Sequence, residues 1–112
     1  MDVEFKNKWQ EVKDLTKERF GEYIDLQSLL FIIGLQELAH GHRKLTKDQK
    51  VDVIHIAVCT LLQPYGYYQY EGRDDDDWPH WSVKKQLPHL AGKEQERLMR
   101  EAIINYFGLS NG

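Results

Sequence analysis

Only one of the 112 residues is a cysteine, Cys59, which excludes an internal disulfide framework because a bridge needs two thiols. Basic runs are equally scarce. None is longer than Arg43-Lys44 or Lys84-Lys85, and the formal net charge is −3, which argues against an electrostatic grip on phosphate backbones. The longest apolar stretch, Leu29 to Leu35, falls far short of the ~20 residues that cross a bilayer. The opening segment, Met1-Asp2-Val3-Glu4-Phe5-Lys6, lacks the apolar core of a secretory signal. There is no glycine-rich phosphate loop, no G-x-S-x-G and no dinucleotide fingerprint. The expectation is a soluble cytoplasmic protein with no membrane contact.

What remains has the composition of an ordinary globular chain: 41% hydrophobic and 29% charged residues with both signs interspersed. The length suits one domain, residues 1–112, with no room for two independent cores. The first helix is expected over residues 3–20, where Phe5, Trp9, Val12, Thr16 and Phe20 form one stripe and Gly21 is a natural stop. A second, over residues 25–40, follows the cap Asp25. Its apolar side chains point in nearly every direction, which marks a buried helix.

A tight connection at residues 41–45 leads to Thr46-Lys47-Asp48-Gln49, a capping box for a third helix over residues 47–63 that Pro64 ends. Val51, Ile54, Val58, Leu61 and Leu62 would be its apolar face. The short link predicts a central buried helical hairpin. A fourth helix is expected over residues 93–107, with Leu98, Met99, Ala102, Ile103 and Tyr106 on one face and Gly108-Leu109 as a Schellman-type end. The fold class so predicted is all-α: four helices with an irregular aromatic and acidic insertion, residues 65–90, between the last two. A short hairpin around Glu71-Gly72 is an option within it.

Two acid–histidine pairs at i, i+3 carry the sharpest chemistry: Glu37 with His40, and Asp52 with His55. Such pairs on facing helices can hold one divalent metal ion, and di-iron bundles use Glu-x-x-His twice. Rotation weakens the case, because Asp52 lies about 130° from the centre of the predicted apolar face at 100° per residue. The two further carboxylates of a di-iron centre have no evident source. The plainer reading is a boundary histidine bonded to a backbone carbonyl or a neighbouring acid.

His40-Gly41-His42, with His80 and His89, has no zinc-type spacing, and His40 and His42 could simply favour the negative end of a helix dipole. Asp74 to Asp77 lack the alternating ligands and twelfth-position glutamate of an EF-hand, so a solvated acidic turn is expected there. Cys59 lies one turn after His55 but has only apolar neighbours, which favours a buried structural thiol over a nucleophile.

The aromatic segment is the remaining candidate. Six Tyr and Trp residues fall within seventeen positions, 65–81, too dense a cluster for a mere connection. Such rings either cover the helices or form a binding surface. The candidate surface residues are Tyr68, Tyr70, Arg73, Trp78, His80 and Trp81. Trp78, next to the acidic turn, would stay partly exposed beside Tyr68 or Tyr70, with Trp81 laid against the helices. The functional reading is a small intracellular interaction or ligand-binding domain, with a protein partner or a second copy of the chain preferred to nucleic acid, and a small ligand also admissible. The alternative is a metal-binding protein or metal-dependent enzyme using Glu37, His40, Asp52 and His55.

The central position assigned to the second helix has a direct test. Ile33→Asp would bury an unpaired carboxylate and is expected to cost several kcal/mol, enough to prevent folding. A soluble Ile33→Asp protein with unchanged thermal stability would overturn that assignment.

Overall fold

The computed structural model describes residues 3–39, 44–88 and 90–108. The elements are helix α1 (Val3–Phe20), helix α2 (Leu26–Leu38), helix α3 (Lys47–Leu62) with a 3-10 turn at Gln63–Tyr65, strands β1 (Tyr68–Arg73) and β2 (Pro79–Val83), and helix α4 (Gly92–Tyr106). They fall into two compact units, one drawn from residues 1–26 and 89–112, the other from residues 27–88. No described helix is long and apolar enough to cross a membrane.

In the first unit α1 packs on α4. Val12 and Thr16 are buried on α1, and Ala102, Ile103 and Ile104 on α4. The Thr16 hydroxyl donates to the Lys13 carbonyl at 2.8 Å, so its burial leaves no unmet donor. Arginines of α4 lie over aromatic rings of α1: Arg97 is 4.3 Å from the Phe5 ring centre and Arg100 is 5.1 Å from that of Trp9. Those two rings head the apolar stripe read from the sequence. Phe20, at its other end, is 48% exposed. Gly108 takes φ +73°, as a residue ending a helix does, while Leu109 lies outside the described residues.

The second unit is built on α2, α3 and a β-hairpin. The capping box at α3 forms as expected: Gln49 N donates to Thr46 Oγ1 at 3.1 Å, and Thr46 N donates to Gln49 Oε1 at 2.9 Å. The buried face of α3 is Val53, Ile56, Ala57, Cys59, Leu61 and Leu62. That differs from the predicted face in its first half, because Val51 is 63% exposed. Helix α2 buries Leu29, Leu30, Ile33, Gly34 and Leu38 but leaves Gln27, Ser28, Leu35 and Gln36 exposed. It is apolar all round yet covered on one side only, since composition does not say which side a neighbour takes. A cluster of Leu38, Val53 and Ile56 gathers Phe31, Leu45 and Trp78 around it. The turn of the predicted helical hairpin, residues 40–43, lies outside the described residues.

The all-α expectation is corrected by residues 65–90, which are not an irregular insertion. They contain an antiparallel two-stranded sheet in which Tyr68 faces Val83, Tyr70 faces Trp81 and Arg73 faces Pro79. Its turn lies at residues 74–78, not at Glu71-Gly72. Between Tyr70 and Gly72 the register slips, with Glu71 as the extra residue of a bulge and Gly72 at φ +101°. That slip breaks the two-residue alternation that would have announced β1 as a strand. Tyr, Trp and Val nevertheless suit a pleated surface, and Pro79 begins β2, where a missing amide hydrogen is tolerated.

Helices α2 and α3 approach closely at Gly34. A Cβ there would overlap the Val53 carbonyl oxygen and stand 2.7 Å from Val53 Cγ1. Alanine is the better helix former by about 0.8–1 kcal/mol, but overpacking against backbone costs about 1–3 kcal/mol. Gly34→Ala is therefore expected to lower the urea midpoint of unfolding, against its helix propensity. A raised midpoint would show that the two helices do not approach in this way.

Candidate functional site

A cleft of about 300 Å³ opens between α3 and the hairpin. Asp52, His55 and Ile56 of α3 line it together with Asp74, Trp78, Pro79, His80 and Trp81. The three helical residues neighbour one another at three- and four-residue spacing along one side of α3. Two sets of residues that the sequence suggested for different roles thus border one space. Asp52 and His55 come from the metal alternative, and Trp78, His80 and Trp81 from the aromatic surface. The angle that weakened the case for Asp52 was measured from an expected face of Val51, Ile54, Val58, Leu61 and Leu62, whereas α3 buries Val53, Ile56, Ala57, Cys59, Leu61 and Leu62.

The hairpin turn is organised by Asp74. Its Oδ1 accepts from the amides of Asp76 at 2.9 Å and Trp78 at 3.0 Å, while its own amide donates to the Trp78 carbonyl at 2.9 Å. Its Oδ2 lies 2.7 Å from His80 Nε2. An ionised carboxylate only accepts, so Nε2 carries the proton in this contact. Asp77 takes φ +65°, a left-handed conformation that aspartate tolerates better than most residues. All four aspartates from Asp74 to Asp77 are exposed, as expected of an acidic turn. The sequence reading missed only that the first of them is a cleft residue; the spacing Asp74 to His80 across a turn is the signal that could have found it.

Arg73 fastens the hairpin to α2. Its guanidinium donates to the carbonyls of Glu37 at 2.9 Å and Leu38 at 3.1 Å, and to that of Asp77 at 2.8 Å. The first two are carbonyls left over at the end of α2, where a cation also meets the negative end of the helix dipole. Gln63 Oε1 accepts from the Tyr70 amide at 3.1 Å, and the Tyr67 carbonyl accepts from Lys84 N at 2.9 Å. The hairpin is held at both ends of its length.

The other candidate residues divide among these parts. Trp78 packs against the cluster of Leu38, Val53 and Ile56. Trp81 stands edge-on to Tyr70 with ring centres 5.1 Å apart. Both tryptophans are half-buried, and Tyr70 is 44% exposed. The ring beside Tyr70 is thus Trp81 rather than Trp78. The Trp81 indole N–H is enclosed and has no acceptor among the described residues. Tyr68 stands edge-on to His55 at 6.2 Å.

Cys59 Sγ lies 3.7 Å from His55 Nε2, but it is fully buried, and burial pushes the thiol up to about 11. It stays protonated near neutrality, as a structural thiol does. Glu37 supplies a backbone carbonyl to Arg73, and His40, His42 and His89 lie outside the described residues. Among the described residues no three His, Cys, Asp or Glu side chains are grouped to hold a metal ion. No known protein family, curated protein or solved structure matches the chain.

The His80 hydrogen bond, with the Trp78 amide second, holds the Asp74 carboxyl below its ordinary value of 3.8. A carboxylate whose folded value is depressed stabilises the fold above its unfolded value, and that contribution disappears as pH falls through the folded value. The turn is therefore expected to keep its full stabilisation at neutral pH and to lose it only in acid. The Asp74 carboxyl carbon, followed by NMR, should titrate with a midpoint below 3.8, and His80→Ala should move that midpoint upward. A midpoint unchanged by His80→Ala would mean that the pair is not formed in solution.

Proposed function

We propose that this chain is a small intracellular ligand-binding or interaction domain whose working surface is the cleft between α3 and the β-hairpin. The observation that carries the reading is the convergence of Asp52, His55, Asp74, Trp78, His80 and Trp81 on one space of about 300 Å³. Pockets that bind small molecules join apolar and aromatic walls to a few placed polar groups, and they begin at about this size. Among the described residues, no serine, threonine, cysteine or lysine lines the cleft to act as a nucleophile. The Asp74–His80 pair could still move a proton, but binding is the simpler use of these walls.

Arg73, Tyr68 and Tyr70 serve this surface indirectly. Arg73 is committed to backbone carbonyls and holds the hairpin in place. Tyr70 props the Trp81 ring and Tyr68 the His55 ring. This arrangement gives the two tryptophans different jobs. Trp78→Ala opens a hole over Leu38, Val53 and Ile56, and for a half-buried ring the expected cost is about 2–4 kcal/mol. Trp81→Ala is expected to keep the fold and lose the binding surface. Chemical denaturation of both variants, combined with NMR screening of the wild type and Trp81→Ala against a fragment set of mixed charge, tests the reading. A wild type in which no fragment shifts the cleft resonances would sink it.

A further inference from the structure

We propose that the ligand of this cleft is an organic cation, an alkylated ammonium group. This inference rests on the cleft being the working surface and adds the chemistry of its occupant. Trp78 and Trp81 bring two large π systems to the lining, and Ile56 and Pro79 add apolar wall. Asp52 and Asp74 supply carboxylates, with Asp75, Asp76 and Asp77 continuing the negative charge along the exposed turn. Among the described lining residues the other polar groups are the His55 and His80 rings and the indole N–H groups of Trp78 and Trp81, and His80 already donates to Asp74.

No lysine or arginine is among the described lining residues. The nearest arginine in sequence, Arg73, spends its donors on three backbone carbonyls and lies 3.7 Å from Asp77 Oδ1. Among the described lining residues an anionic ligand would find no lysine or arginine, only the two histidines, one of which is already engaged by Asp74.

Aromatic faces beside carboxylates form a site suited to a bulky, weakly hydrated cation. The ring quadrupole attracts positive charge and the apolar surface covers the alkyl groups. A bare metal ion is a different case, because it needs several converging donor atoms at short range. Among the described residues those donors are not grouped. A quaternary ammonium asks for no directed bond at all. The space of about 300 Å³ has room for such a headgroup. The walls come from two elements that are separately secured, α3 by its capping box and the hairpin by Arg73. The cavity is therefore built before a ligand arrives, which limits the ordering cost of binding.

Three probes of one shape and different charge isolate the claim: choline, dimethylbutanol in which carbon replaces the quaternary nitrogen, and the corresponding dimethylbutyrate. Each is titrated into the isotope-labelled full chain while the Trp78 and Trp81 indole and the His55 and His80 ring resonances are followed. Choline is expected to bind saturably, about 5-fold or more tighter than dimethylbutanol, as a cation over aromatic rings should, with dimethylbutyrate weakest.

Asp52→Asn is expected to weaken choline several-fold while leaving dimethylbutanol unchanged. Trp81→Leu, which keeps apolar bulk but removes the π face, should bring choline down to the level of the neutral probe. A peptide carrying trimethyllysine, titrated in parallel, distinguishes a protein-borne ammonium from a free one, and preferential binding of either supports the same chemistry. If dimethylbutanol or dimethylbutyrate binds as well as choline, the cation assignment is wrong and the cleft remains a ligand site of another class. If none of the probes, the peptide included, shifts any cleft resonance, the organic-cation assignment is overturned, and the fragment screen then decides whether the cleft is a site at all.

Discussion

The guanidinium of Arg73 is the contact on which the second unit depends. A two-stranded hairpin is marginal by itself in water, and the last carbonyls of α2 have no partners within their own helix. One side chain meets both needs. From β1 it reaches the Glu37 and Leu38 carbonyls of α2, and it also takes the Asp77 carbonyl from the hairpin's own turn. Charge-assisted hydrogen bonds of this kind are stronger than neutral ones. The helix end, the strand and the turn are thereby tied into one structural joint. The Leu38–Val53–Ile56 cluster beneath Trp78 adds an apolar layer to the same unit.

The Asp74 carboxylate performs the matching task on the far side of the turn. It organises two amides and orients His80, and it does so while exposed. The cleft is therefore bordered by groups fixed through backbone geometry rather than by long free side chains. On α3 the fixing is done by helix packing, with Ile56 and Cys59 buried and Asp52 and His55 at the margin. Close approach at Gly34 sets how near α2 comes to that helix. A surface assembled in this way presents aromatic and acidic groups at low conformational cost.

Local patterns made much of this legible. Helix α1 begins and ends where its stripe does, the Thr46–Gln49 box caps α3, and Asp74 to Asp77 form an exposed turn. Each is decided by neighbours within four residues in sequence. The hairpin's turn was expected at Glu71-Gly72, not at residues 74–78, for an equally local reason: the bulge at Glu71 and the glycine after it break the alternation that a strand would otherwise show. The apolar face of α3 was misplaced because several of its positions are hydrophobic, and only a neighbour decides which are covered.

By itself, then, the sequence determined the four helices, the Thr46–Gln49 cap of α3, the single buried thiol and the concentration of aromatic and acidic residues between positions 65 and 81. Those features follow from short-range periodicity, backbone chemistry and composition. Tertiary structure alone decided that Arg73 caps a helix 35 residues upstream, that Asp52 and His55 share a cleft with Trp78, His80 and Trp81, and that Asp74 belongs to it. The physical reason is that these relations depend on helix rotation and strand register. A change of one residue in register turns a side chain to the opposite face, and no pattern within a single segment specifies what stands across from it.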